Sequence, residues 1–440
     1  MSTIHLKRLF SFALACAVWF ADVGGADATE CSNDAASGKM SGNLACSQIE
    51  YKAGYSTRPR FGGPNSPEGQ LEDNDRVTKP AFRFPAIDNF FGPWREWKRR
   101  LNEDDGFQIT GHYATLAQKL DRSLTDEDTG SSGVFRITTK WTLIGRDTPN
   151  TGSIVLMVDN RHAFRDLAPA GVASQAGYIG VTGTLFSDVD WVIPNLNWQQ
   201  SLNDGDSGLL IGRYDPNDYM NILGYTNPWT TFQNVAILLE PSVAFPDSGW
   251  GAAAGHWFSD QWYALAGFND ANGKVTDDLN FFDGGSEFFT WAHVGWSPSK
   301  DQRYFKNAHL MVWHVDDRED AGIPSAEGVA VAVNWTFDER WMPFVRAGWS
   351  EGAAPIYNKS ATLGLIRQFV RRSDLVGLAV NWGRPPDGSL RDQTTIEAFW
   401  RFQFSQNLAI TPSLQFLADP ALNPDEDKVW VYSLRARLTF

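Results

Sequence analysis

The chain has 440 residues, 38 basic against 52 acidic, giving a formal net charge of −14. That excludes a nucleic-acid binder, which needs a basic surface to neutralise phosphates. Aromatic residues at 13%, with 19 Trp and 29 Phe, exclude disorder over most of the length, and three cysteines are too few for a disulfide scaffold.

The N-terminus reads as an export signal spanning residues 1–28. Lys7 and Arg8 precede an apolar run from Leu9 to Phe20, and Ala26-Asp27-Ala28 supplies a small-residue cleavage pattern. Cys31 and Cys46 remain after cleavage, either as a pair in an oxidising compartment or as two free thiols in a leader. No later apolar run reaches the roughly 18 residues of a membrane-spanning helix. Residues 29–85 are polar, rich in Gly, Ser, Pro and Asn, and lack periodicity, which reads as an extended leader or linker. A short helix is expected over 86–104, with Pro93 near its start and Trp94, Trp97 and Leu101 on one face.

From residue 105 to 440 the pattern changes to period two. Val329, Val331, Val333, Trp335 and Phe337 alternate with Ala330, Ala332, Asn334 and Thr336. Tyr432, Leu434, Ala436, Leu438 and Phe440 alternate with Ser433, Arg435, Arg437 and Thr439. Such alternation makes strands with one apolar and one polar face. About sixteen strands follow by this count, most near the roughly 10 residues that cross a bilayer at a tilt. Connections mostly alternate long and short: 163–190 and 215–248 are long, whereas 201–206, 338–340 and 405–407 are short. Long loops on one rim and short turns on the other mark an outer-membrane barrel. The expected fold is therefore all-β: a transmembrane antiparallel β-barrel with a short N-terminal helix. A basic side chain facing lipid at mid-bilayer costs about 2–4 kcal/mol, so the polar face must be the lumen.

Several segments together resemble the carbohydrate-selective porin family. They include Gly92-Pro93-Trp94-Arg95, Gly212-Arg213-Tyr214-Asp215-Pro216-Asn217-Asp218-Tyr219 and Gly267-Phe268-Asn269-Asp270. They continue with Pro343-Phe344-Val345-Arg346-Ala347-Gly348, Gly377-Leu378-Ala379-Val380-Asn381-Trp382 and Thr411-Pro412-Ser413-Leu414-Gln415-Phe416. The family's opening motif usually has an acidic residue and a double glycine around its Trp, from which Pro93 and Glu96 depart. The resemblance implies facilitated diffusion of mono- or oligosaccharides across an outer membrane, through a constriction rich in arginine. It also implies that the terminal Phe440 is read by barrel-assembly machinery, with outer-membrane lipid as the surroundings.

Strand parity places Arg136, Lys140, Arg346, Glu397, Arg401, Arg435 and Arg437 in the lumen. A guanidinium offers five fixed donors able to bridge neighbouring hydroxyls of a sugar. Taken singly, each of these reads equally as wetted wall. Segment 215–248 contains no Lys or Arg but carries Asp215, Asp218, Tyr219, Trp229 and Glu240, so folding inward sets carboxylates against arginines. The pore-lining candidates are Arg136, Arg213, Asp215, Asp218, Trp229, Arg346, Glu397, Arg401 and Arg435. No cofactor is expected. Among seven histidines only His314 has an acidic neighbour two positions on, Asp316, and that is short of a metal site. No nucleotide-binding or nucleophile motif occurs. The alternative is a secreted carbohydrate-active enzyme, also Trp- and carboxylate-rich, which carries a carboxylate pair flanking a sugar bond.

Overall fold

The computed structural model describes residues 61–277, 279, 287–369 and 373–440. The signal segment, Cys31, Cys46 and the leader up to residue 60 lie outside the described residues. Two helices come first, α1 (Pro67–Asp75) and α2 (Pro85–Asp105). Eight strands follow: β1 (Phe107–Leu120), β2 (Thr129–Ile144), β3 (Gly152–Ala163), β4 (Asp190–Leu202), β5 (Ser207–Tyr214), β6 (Gly249–Trp257), β7 (Trp262–Asp270) and β8 (Phe288–Trp296). The second eight are β9 (Lys306–Val315), β10 (Ala326–Trp335), β11 (Trp341–Glu351), β12 (Lys359–Phe369), β13 (Asp374–Arg384), β14 (Gln393–Gln403), β15 (Leu408–Ala418) and β16 (Lys428–Thr439).

Each strand pairs antiparallel with its neighbours in sequence, and β1 pairs with β16 to close a 16-strand barrel. Closure leaves no open edge, so every ladder group finds a partner. The seam is finished by the last residue. Phe440 N–H donates to Gly111 O at 2.9 Å, and Gly111 N–H returns a bond at 3.0 Å. A Cβ at Gly111 comes to 2.5 Å from the Phe440 ring, so the seam needs glycine there.

Parity holds along the strands. Val329, Val331 and Val333 are more than 40% exposed on the outside, whereas Ala330 and Ala332 are 1% exposed within. On β16, Tyr432 and Leu434 face out and Ser433, Arg435 and Arg437 face in. Exposed Phe258, Trp262, Phe337 and Trp341 ring the short-turn rim, as interfacial aromatics do. Among the described residues no helix is long and apolar enough to cross a membrane.

The N-terminal part differs from expectation in two ways. Helix α2 begins at Pro85, whose fixed φ suits the first turn, so Pro93 is interior rather than near the start. Pro93 lies on an exposed face, where water can satisfy the carbonyl it leaves unbonded. The helix stops at Gly106, in the left-handed region at φ +68, whose N–H donates to Asn102 O. Residues 61–84, read as leader, are not an extended linker. They hold α1, capped by Ser66, and most of residues 61–71 are buried inside the barrel.

Candidate functional site: a constriction within the barrel

The connection from β5 to β6, residues 215–248, turns into the lumen instead of standing above the rim. Wall side chains grip its backbone. Glu397 on β14 accepts from the N–H groups of Gln233 at 2.7 Å and Asn234 at 3.0 Å. Arg435 on β16 donates to Pro228 O at 2.6 Å and Thr231 O at 2.9 Å. Arg346 on β11 donates to Ile237 O at 3.2 Å and Asn221 O at 3.3 Å. All three are essentially fully buried. Apolar packing reinforces the grip, with Phe232 edge-on to Phe399 at a centroid distance of 4.8 Å. At Gly348 the loop approaches so closely that a Cβ would collide with Ser242.

A charged belt crosses β1, β2 and β3, the strands next to Arg435 on β16. Cross-strand register puts His112 opposite Arg136 and Arg136 opposite Asp159. Arg136 grips both Asp159 oxygens at 2.6 Å, and Arg161 adds bonds to Oδ2 at 3.0 and 2.8 Å. This fork-on-fork geometry fixes the guanidinium plane. Over that plane lies Trp229 of the loop, 4.6 Å from guanidinium carbon to ring centroid. His112 meets the same indole edge-on at 4.6 Å.

The third side is built by the N-terminal strap, residues 61–76. Its tip bonds directly to the loop. Gly63 N–H donates to Asp218 O at 2.6 Å, and Asn227 Nδ2 donates to Pro64 O at 2.9 Å. Asn65 Nδ2 donates to Asp218 Oδ1 at 2.8 Å, while its Oδ1 accepts from Trp229 Nε1 at 2.9 Å. Beside the strap a cavity of about 850 Å³ opens against the wall, lined in part by Glu68, Leu71, Gln108, Lys140, Gln199 and Tyr219.

The loop carboxyls are tuned by burial. Asp215 is raised to about 6, chiefly by burial and then by nearby Asp247, with Asn217 N–H and Arg136 opposing. Burial, with the Asp215 charge adding to it, pushes Asp218 well above the ordinary carboxylate range. Glu240 is also raised by burial, against the pull of Arg346. The site thus holds one carboxyl, Asp215, whose charge changes around pH 6.

The structure brings Arg136, Asp215, Asp218 and Trp229 to one place, and sets Glu397, Arg435 and Arg346 under the loop as its anchors. It sets two candidates apart. Arg213 donates to Ile193 O at 2.8 Å and Lys274 O at 2.5 Å, bracing the β7–β8 connection. Arg401 lies near the short-turn rim, donating to Gln403 Oε1 at 2.6 Å and Ser373 O at 3.4 Å. Asp159 and Arg161 escaped sequence reasoning although both share the lumen parity of β3, a signal that was available. Asn65 gave no signal at all, because its partners are more than 150 positions away.

The model of the carbohydrate-selective porin, OprB family, matches residues 329–440. That segment runs from within β10 through β16 and is similar to the family over about a quarter of the chain. The three wall anchors, Arg346, Glu397 and Arg435, lie within the matched residues. In fold, the chain resembles the high-pH structure of Pseudomonas putida OprB, at 16% identity and TM-score 0.64, over 79% of this chain and 97% of that one. The low-pH structure of the same porin aligns at 14% identity and TM-score 0.48, over 79% and 97%. A mutant of Rh. blastica porin aligns at 13% identity and TM-score 0.46, over 76% and 100%. No curated protein matches the chain. About a fifth of this chain thus has no counterpart in the OprB structure, which is itself matched almost throughout.

Proposed function

We propose that the chain is an outer-membrane channel for facilitated diffusion of sugars, mono- or oligosaccharides, down their own gradient. The observation that carries this reading is the joining of a porin-family wall to an inward loop that sets Arg136, Trp229 and two carboxyls around one constriction. Arg136 and Trp229 are buried against Asp159, Asn65 and each other, so they set the width and shape of the constriction that a sugar must pass. Binding must be weak, since a permeating solute has to leave as readily as it enters.

The outward Val, Leu and Trp side chains suit surrounding lipid, and an acyl environment explains their exposure without a protein partner. Phe440, at the seam, is the residue offered to barrel-assembly machinery. The fold and the family match favour this channel over the secreted enzyme. The test is reconstitution of the purified chain into planar bilayers and liposomes. Ion current that sugars block reversibly, with liposome swelling in the same sugars, supports it; a protein that partitions into water without detergent overturns it.

A further inference from the structure

We propose that the N-terminal strap, residues 61–76, is a working part of the constriction, and that Asn65 at its tip is a specificity-determining residue of the path. This rests on the channel reading above. A linker crossing a lumen needs no particular partners, but this one is seated in a prepared socket. The Phe61 ring lies against Gly208 on β5 and Gly255 on β6, where a Cβ would come to 2.7 Å from ring carbons. Its carbonyl accepts from Arg303 Nη1 at 3.1 Å, and Gly62 O accepts from Tyr304 OH at 2.6 Å.

The tip is also rigid. Ser66 Oγ donates to Gly63 O at 2.8 Å and accepts from Gly69 N at 3.1 Å, while Gln70 Nε2 donates to Asn65 O at 2.7 Å. These bonds hold the Asn65 amide between Asp218 and Trp229. The strap therefore occupies the hydrogen-bonding groups of Asp218 and Trp229, and sets a half-buried neutral amide beside the loop carboxyl. Lower down, Asn74 accepts from Arg437 Nη2 at 2.6 Å, tying α1 to the wall at the short-turn rim. A strap anchored at both ends narrows the path for as long as it stays seated.

Two kinds of variant test this in planar bilayers, with heat-modifiable gel mobility reporting barrel assembly. Deleting residues 61–76 from the otherwise full chain is expected to raise single-channel conductance about twofold or more. Asn65→Asp is expected to shift the reversal potential toward cations and Asn65→Lys toward anions. The same changes at exposed Asn89 on α2 are expected to leave it in place. If assembled residue-65 variants conduct with wild-type selectivity, the strap proposal fails alone. If assembled wild-type protein carries no ion current, the channel reading fails and takes the proposal with it.

Discussion

At the scale of single residues, the wall arginines act through the loop they hold. Arg435 and Arg346 each direct two donors at loop carbonyls inside the barrel. Removing such a donor leaves buried carbonyls unpaired, at about 1–3 kcal/mol for each group. Arg435→Ala and Arg346→Ala are therefore expected to loosen residues 215–248, giving larger and noisier single-channel currents and weaker sugar block. Arg122→Ala, which removes an exposed pair with Glu426, is expected to change neither current nor block. Unchanged current in both lumen variants contradicts the anchoring role. Parity in the sequence put these arginines in the lumen, because side-chain direction has period two along a strand. It did not identify their partners, because carbonyls of Pro228 and Thr231 carry no side-chain signal and lie some 200 positions from Arg435.

Asp215 adds a dependence on pH at the same scale. Its carboxyl is raised to about 6 from an ordinary value of 3.8, so the folded protein holds a proton that the unfolded chain releases. Between those values the native state binds more protons, so stability falls as pH rises. The contribution is fully present below about pH 4 and lost through about pH 6. The pore also gains negative charge over the upper part of that window. Cation preference is expected to rise between pH 5 and pH 7, and Asp215→Asn is expected to flatten the rise. A wild-type selectivity independent of pH over that range contradicts this.

At the scale of elements, the strands were the legible part. Val329 to Phe337 and Tyr432 to Phe440 alternate because one face meets the surroundings and the other the lumen, and sixteen such runs mark out the wall. Helix α1 was not legible. Pro67-Glu68-Gly69-Gln70 has no apolar face, and its burial depends on loop and wall residues that the sequence places far away. Interior Pro93 likewise disguised the true start of α2. The seam gives an element-scale prediction. Removing Phe440 deletes the two-bond pairing with Gly111, and Gly111→Leu drives a side chain into the Phe440 ring, an overpacking cost of about 1–3 kcal/mol. Both changes are expected to reduce the assembled, heat-modifiable fraction, by more than Gly388→Leu, where a Cβ meets open space. Equal assembly of all three contradicts the assigned role of the seam.

At the scale of the whole molecule, a closed wall, an inward loop and an inner strap converge on one narrow place. On the reading proposed above, the wall separates an aqueous interior from lipid outside, and the loop and strap make that interior a selective path. The most direct measurement is current through single assembled barrels with and without sugar, for the wild type and for Trp229→Ala. Reversible, concentration-dependent block in the wild type is expected, weakened about three- to tenfold in Trp229→Ala because losing the buried indole releases Arg136 and Asn65 and widens the constriction. A barrel whose ion current is indifferent to every sugar tried, in both proteins, contradicts the account.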